Sequence, residues 1–444
     1  MRMKVFITNQ IREIMGGERK INIRKIKSGI IYIKSNIFCL PAIPFVILIR
    51  FLRPILLVRW GNLISSRIGH FAANTELYLC EQDAGINKPK CRYVDVFYMG
   101  YKPISNIVLA NMWERHLLIA PSWLMTPIAM ANKLIPGGRI HEIGNNIQND
   151  RDINNLMNKF PPHLQFTEEE ELRGKEGLVK IGIKLGSPFV CLLVRDSSYL
   201  STHLGKDFNY HNYRDTDVQN YVLAAEELAS RGYFVIRMGV YVKKAINSTS
   251  PKVIDYATNG MRTDFMDIYL GAKCSFCISV GSGFDAIPYI FHRPTVYVNM
   301  VPLGYLWTFR ENSIGITKHY FNRRLGKELT LNEIFNHGIG FSVYTADYES
   351  KDIELVENTP EEIRDVVIEM AERLNGSWQS VGDDEYLQKL FWKIFPVNAY
   401  DLRGVRLHGE VKIYFGAKFL RNNRNWLGLK SATYKTSAIE DATS

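Results

Sequence analysis

Two periods alternate along this chain, short apolar runs of strand length and longer stretches with helical spacing, and together they predict a mixed α/β protein. The second half is the sharper. Residues 189–194 (FVCLLV) are six apolar residues in a row, as expected of a strand covered on both faces. Helical spacing follows over 217–230 with Gly232 as its stop, and 233–238 reads as the next strand. Residues 274–280 are a further strand, broken by the Gly-Ser-Gly turn 281–283. A short helix over 284–291 and a strand from Thr295 to Asn299 follow. Thr359, Pro360 and Glu362 open a helix to Leu374, because Thr caps, Pro fits the first helical position and Glu completes a capping box.

The first half is fainter. Strands are predicted over 54–60, ending at Gly61, and over 93–99 and 117–120, with a helix over 107–115. From 122 to 178 the pattern weakens, and the acidic run 168–171 suits a solvated helix or linker. Strand and helix in alternation argue for parallel sheets covered by helices. The 444 residues leave room for two such domains. The expected divisions are an N-terminal segment 1–53, a first α/β domain 54–176, a second 177–380, and C-terminal helices 381–444.

The N-terminal segment differs from the rest. Arg19, Lys20, Arg24, Lys25 and Lys27 interleave with Ile21, Ile23 and Ile26, and an apolar stretch follows. Lys34, Pro41, Pro44 and Arg50 interrupt it, leaving no apolar span of about 18–20 residues to cross a bilayer. No small-residue cleavage site follows it either. Two readings stand: the segment lies on an anionic membrane face, or 45–52 is a buried helix of the first domain and the basic arm a solvated tail.

Hydrophobic content of 46% and aromatic content of 12% exclude a mostly disordered chain. The net charge of +10 favours anionic partners, whether lipid, nucleotide diphosphate or nucleic acid. Nucleic acid is the weakest of these, since the chain has no recognisable binding module. Six scattered cysteines point to a reducing compartment, so the expected location is the cytoplasm, with the inner-membrane surface as the peripheral alternative.

Candidate chemistry gathers after predicted strands, where α/β sheets bind ligands. Arg67, His70, Asn74 and Glu76 follow the first. His70 could act as a general base with Glu76 orienting it or binding sugar hydroxyls, and a capping or core histidine is the plainer alternative. Arg195 ends the strand 189–194, Arg214 lies in the loop beyond it, and Arg237 ends the next strand. With the turn Gly281, Ser282 and Gly283 they could neutralise a diphosphate. The plainer alternative pairs Arg195 with Asp196 and Arg214 with Asp215 as surface ion pairs. No strand in the first half leads into G-x-G-x-x-G, and neither a G-x-x-x-x-G-K-[ST] loop nor a G-x-S-x-G elbow occurs, which lowers dinucleotide, P-loop and hydrolase chemistry. Asp150 and Asp152, and Asp215 and Asp217, form Asp-x-Asp pairs, but neither follows an apolar strand. Cys274 and Cys277 offer only half a zinc site. No metal or other cofactor is expected; arginines and a helix dipole would stabilise a leaving diphosphate instead.

The blocks RIGHFAANTELYLCE (67–81), LLVRDSSYL (192–200), YHNYRDTDVQNY (210–221), GYFVIRMG (232–239), FCISVGSGFDAIPYIFHRPTVYVN (276–299), ENTPEEI (357–363) and GAKFLRNNRNWL (416–427) resemble a family of bacterial glycosyltransferases of GT-B fold associated with surface-polysaccharide gene clusters. The resemblance implies two Rossmann-like domains facing each other across a cleft, with the basic and apolar N-terminal extension added. It implies donor contacts from Arg195, Tyr213, Arg214, Arg237, Gly281, Ser282, Gly283 and Lys318. Acceptor-side or base roles fall to Arg67, His70, Asn74 and Glu76, and the C-terminal helices would cross back onto the N-terminal domain. The implied activity is metal-independent transfer from a nucleotide-sugar to a saccharide or lipid-linked saccharide during lipopolysaccharide or capsule synthesis. A nucleotide-sugar 2-epimerase and a non-catalytic sugar-binding scaffold are the alternatives.

Overall fold

The computed structural model describes residues 39–144, 150–195 and 209–429. The basic arm and Asp196 lie outside the described residues. Helices α1 (Ile43–Phe51), α2 (Ile68–Asp83), α3 (Ile107–Glu114) and α4 (Ser122–Leu134) are interleaved with strands β1 (Leu57–Leu63) and β2 (Tyr93–Met99). Helix α5 (Glu168–Lys180) leads to β3 (Phe189–Leu193), α6 (Val222–Ser230), β4 (Phe234–Met238) and β5 (Val253–Ile254). Next come α7 (Asp264–Lys273), β6 (Phe276–Ser279), α8 (Ala286–Ile290), β7 (Thr295–Tyr297) and β8 (Ile314–Gly315). A small antiparallel sheet of β9 (His319–Asn322), β10 (Lys327–Glu328) and β11 (Ile353–Val356) carries α9 (Leu331–Asn336) and α10 (Thr345–Glu349) in its connections. Helices α11 (Pro360–Asn375) and α12 (Asp384–Ile394), strand β12 (Tyr414–Phe415) and helix α13 (Ala417–Asn422) follow.

The chain forms two compact units. The first holds α1, β1, β2 and α4. Here β1 and β2 pair in parallel from Leu57 opposite Tyr93 to Leu63 opposite Met99. The predicted stop at Gly61 does not hold: the glycine pairs with Phe97, and the strand continues through it. The predicted strand 117–120 is a single bridge from Ile119 to Phe97. Val46 of α1 and Ala42 just before it pack against Met125, Ile128 and Ala129. Arg50 ties the two helices, donating to Asn132 Oδ1 at 2.7 Å, Ile135 O at 3.0 Å and Pro136 O at 2.7 Å. It thereby satisfies carbonyls left open where α4 ends. The other face of α1 is bare, with Phe45 62%, Leu48 58% and Phe51 78% exposed. The reading of 45–52 as a buried helix of the first domain thus holds for one face, through Val46 and Ile49, and not for the other.

The second unit holds α2 and the elements from α5 onward. Its large sheet runs β12-β8-β7-β6-β3-β4-β5, with every pair parallel. Alternate side chains of β3 enter two cores, as a pleated strand requires. Val190 and Leu192 join α6, α11 and α12 on one face, while Phe189, Cys191 and Leu193 join α5 and α7 on the other. The C-terminal helices expected to return to the N-terminal domain place Leu387, Phe391, Phe419 and Leu420 in the first of these cores. Helix α11 begins on the predicted capping box of Thr359 and Glu362 and ends at Gly376. The chain runs outward from β3 through β4 to β5, then returns to lay β6 on the opposite side of β3. That reversal is the topological switch point, where a crevice opens beyond the strand ends.

Candidate active site

Four sequence-predicted groups meet at the carboxyl edge of this sheet: the turn after β6, Arg195 after β3, Arg237 in β4, and the loop carrying Tyr213 and Arg214. The turn is tightly built. Gly281 has a φ of +74°, and an added Cβ would lie 3.0 Å from both Met300 Sδ and the Trp307 ring. Its N–H donates to Ser279 Oγ at 3.1 Å, so that amide is not free to bind an anion. Ser282 follows, partly buried. Gly283 meets the start of α2: a Cβ on Gly69 would lie 2.8 Å from Gly283 Cα. The predicted helix 284–291 is a 3-10 turn, Gly283–Asp285, running into the five-residue α8. A helix this short supplies little macrodipole, so positive charge at the turn must come from side chains.

Side chains supply it. Arg214 donates to the carbonyl of Gly281. Lys318, 4% exposed, donates to the carbonyl of Asp215 at 2.7 Å. Among the described residues neither cation has a carboxylate partner. Burial lowers the pKa of both, and the neighbouring charge of Arg195 lowers Arg214 further. Arg195 pairs with Asp215 at 3.3 Å, a pairing the sequence reading did not include. Arg237, 1% exposed, contacts Asp255 at 3.2 Å and leaves its buried Nε without a partner. Tyr213 is buried against Tyr348, ring centroids 5.4 Å apart.

Two neighbouring cavities open here. The larger, about 450 Å³, is lined by Tyr213, Asp215, Lys318, Tyr348 and Glu357 among others. The smaller, about 260 Å³, is lined by Arg237, Lys243, Lys244, Asp215 and Glu357. Carboxylates such as Glu357 suit sugar hydroxyls, and the lysines and Arg237 suit phosphate oxygens.

Beneath the turn lies a charge network that sequence reasoning missed. Buried Asp285 accepts from Ser279 Oγ at 3.0 Å and pairs with Arg310 at 3.3 Å. The Arg310 guanidinium also donates to the Tyr297 hydroxyl and sits 4.1 Å from the Tyr289 ring centroid. Burial raises the Asp285 pKa, opposed by Arg310 and Ser279. An aspartate directly after G-S-G-F and an arginine within the aromatic stretch LWTFR were the available signals; neither identifies the other.

The residues expected on the acceptor side belong to α2, in the second unit. Arg67 is exposed at its N-cap. His70 Nδ1 lies 3.3 Å from Asn74 Oδ1. Asn74, not Glu76, is therefore the group that orients His70. Glu76 is 1% exposed and turns to His163 instead, accepting from its backbone N–H at 3.0 Å and facing its Nδ1 at 2.9 Å. Burial lowers the His163 pKa, but hydrogen bonds with Glu76 and Asp83 prevail and raise it. The Asp-x-Asp pairs are spent elsewhere. Asp152 caps the amides of Leu156 and Met157, and Asp217 accepts from Gln219 and pairs with Lys244. Cys274 and Cys277 are free and buried.

No family model matches the chain, and no curated protein matches it. The solved structures similar to it include the following two. One is the E. coli ADP-heptose LPS heptosyltransferase II, at 13% identity over 55% of this chain and 86% of that one, with a TM-score of 0.32. The other is the glycosyl transferase family 9 protein from Veillonella parvula DSM 2008, at 10% identity over 71% of this chain and 97% of that one, with a TM-score of 0.36. Likeness of this degree transfers no residue role.

Proposed function

We propose that this protein is a glycosyltransferase that takes a sugar from a nucleotide-sugar donor and passes it to a saccharide or lipid-linked saccharide acceptor in surface-polysaccharide synthesis. One observation carries the reading. Arg214 and Lys318 are desolvated cations whose described partners are only backbone carbonyls, beside the switch point of a parallel sheet. Lys318 is buried and Arg214 half-buried; cations withdrawn from water without a bonded carboxylate are costly, and a diphosphate is the ligand that would offset them both. As the glycosidic bond to the diphosphate breaks, negative charge grows on the leaving oxygen. Fixed positive groups there stabilise the transition state more than the ground state, with no metal in that role. With Nδ1 donating to Asn74, His70 keeps its Nε2 lone pair for the acceptor hydroxyl proton.

The bare apolar face of α1 supports a second part of the reading, peripheral docking on a membrane that carries the acceptor. Among the described residues no helix is long and apolar enough to cross a bilayer. Phe45, Leu48 and Phe51, with exposed Arg53 just beyond the helix, have the composition of an interfacial helix.

Thermal shifts of the purified protein with a panel of nucleoside diphosphates test the donor site. The expected result is stabilisation by one nucleotide, abolished in Arg214→Ala and in Lys318→Met. Stabilisation by none, or an unchanged shift in both variants, overturns the assignment.

A further inference from the structure

A second polar cluster lies further along α2, outside the machinery just described. Glu76 and Cys80 are four residues apart and so share one face of the helix. His163 arrives from the segment before α5. One ligand atom from each of the three lies within 4.8 Å of the other two, the only such group of His, Cys, Asp and Glu among the described residues. Glu76 Oε1 is held by His163, while Oε2 is buried with no hydrogen-bond partner. A buried carboxylate oxygen without a donor is unfavourable, and a cation is one group that satisfies it. His163 is turned with Nδ1 toward Glu76 and Nε2 3.0 Å from Asp83 Oδ2. A carboxylate on the far nitrogen is the support that metal-bound imidazoles generally have.

We infer that Glu76, Cys80 and His163 bind one divalent transition-metal ion, with Asp83 holding the coordinating imidazole in place. The mixed oxygen, sulfur and nitrogen donors select zinc over magnesium or calcium. Tetrahedral zinc places such donors about 3.5 Å apart, inside the 4.8 Å that bounds the separations of these three ligand atoms. Three protein ligands leave a fourth position for water, and binding releases two protons to solvent, the Cys80 thiol proton and the His163 Nδ1 proton now directed at Glu76. The ion would tie α2 to His163, 87 residues away in sequence. Because α2 also carries Gly69 and His70, the ion would fix the helix that abuts the Gly-Ser-Gly turn.

The test uses the full chain, stripped with a chelator and titrated with Co²⁺. Wild type is expected to bind one equivalent with a thiolate-to-cobalt charge-transfer band, and Zn²⁺ should displace it and raise Tm. Cys80→Ser should lose the band while its circular dichroism stays native. Asp83→Asn, changed at a half-exposed side chain, should bind about tenfold more weakly. Absence of saturable binding in wild type, a band retained in Cys80→Ser, or unchanged affinity in Asp83→Asn overturns the inference. If Cys80→Ser fails to fold, the Asp83→Asn titration decides. Nucleotide thermal shifts report on the sheet edge separately, so either conclusion can fail without the other.

Discussion

The carboxyl edge of the large sheet and the surface of α1 depart from ordinary burial in opposite directions. At the sheet edge the protein buries Arg237, Asp285, Arg310 and Lys318 and half-buries Arg214, side chains that a chain normally leaves in water. On α1 it exposes Phe45, Leu48 and Phe51, which it would normally cover. The comparison separates two kinds of cost. Buried charge must be matched within the fold or by a ligand, so changes there act on stability and on small-molecule binding together. Exposed hydrocarbon costs the folded state little, so changes there act on association and leave stability nearly alone.

Removing one partner of the matched pair at the sheet edge should have the largest effect. Asp285→Ala leaves Arg310 buried and uncompensated, and should cost about 3–5 kcal/mol. Urea denaturation checks this, and a loss below about 1 kcal/mol would show that water reaches the pair. A smaller, pH-dependent effect is expected beside Lys318. His319 Nδ1 lies 2.7 Å from Glu328 and Nε2 3.0 Å from Glu362. Burial opposes its charge, but hydrogen bonds to these carboxylates prevail and raise the pKa to about 10. A raised histidine pKa stabilises fully below about pH 6.5 and is lost as pH climbs through the folded value. Stability should therefore fall by about 1.4 kcal/mol per unit, or ~3 kcal/mol from pH 7 to 9, from this group. Chemical denaturation across that range should show the slope in wild type and not in His319→Gln.

Gly69→Ala tests the close approach to Gly283. A methyl group 2.8 Å from a backbone atom forces α2 away from the turn, at about 1–3 kcal/mol. Nucleotide-induced thermal shifts should shrink as well if α2 helps shape the site. The smallest stability change belongs to α1: Phe51→Asp should alter it by under about 0.5 kcal/mol. Sedimentation with anionic phospholipid vesicles should nevertheless show weaker binding than wild type. Equal binding by both would remove α1 from membrane contact.

Much of the fold was legible where the local signal was unambiguous. Strand β2 occupies the predicted residues, β3 differs by one, and α11 starts on its predicted cap. Helix α4 was missed, and it carries an internal proline, Pro127. The acidic run 168–171 suits either a helix or a linker by sequence, although Thr167 and Glu170 form a capping box like that of α11 and open helix α5. At the site, the arginines after β3 and in β4 were legible because a parallel strand delivers its last residues to one edge. Their partners were not: Asp285 with Arg310 and Glu76 with His163 join distant segments, and no periodicity records such meetings.

The sequence by itself determined the alternation of strand and helix, the turn at 281–283, the end of α11 and the positions of the basic residues. These depend on hydrophobic period, backbone preference and capping, all of which act between near neighbours. Only the tertiary structure decided the order of strands, the assignment of α2 to the second unit and the packing of α12 into its core. It also decided which buried charges are paired. Those outcomes rest on contacts between residues far apart in the chain, where burial raises the energy of every unmatched charge and side-chain geometry selects the partner.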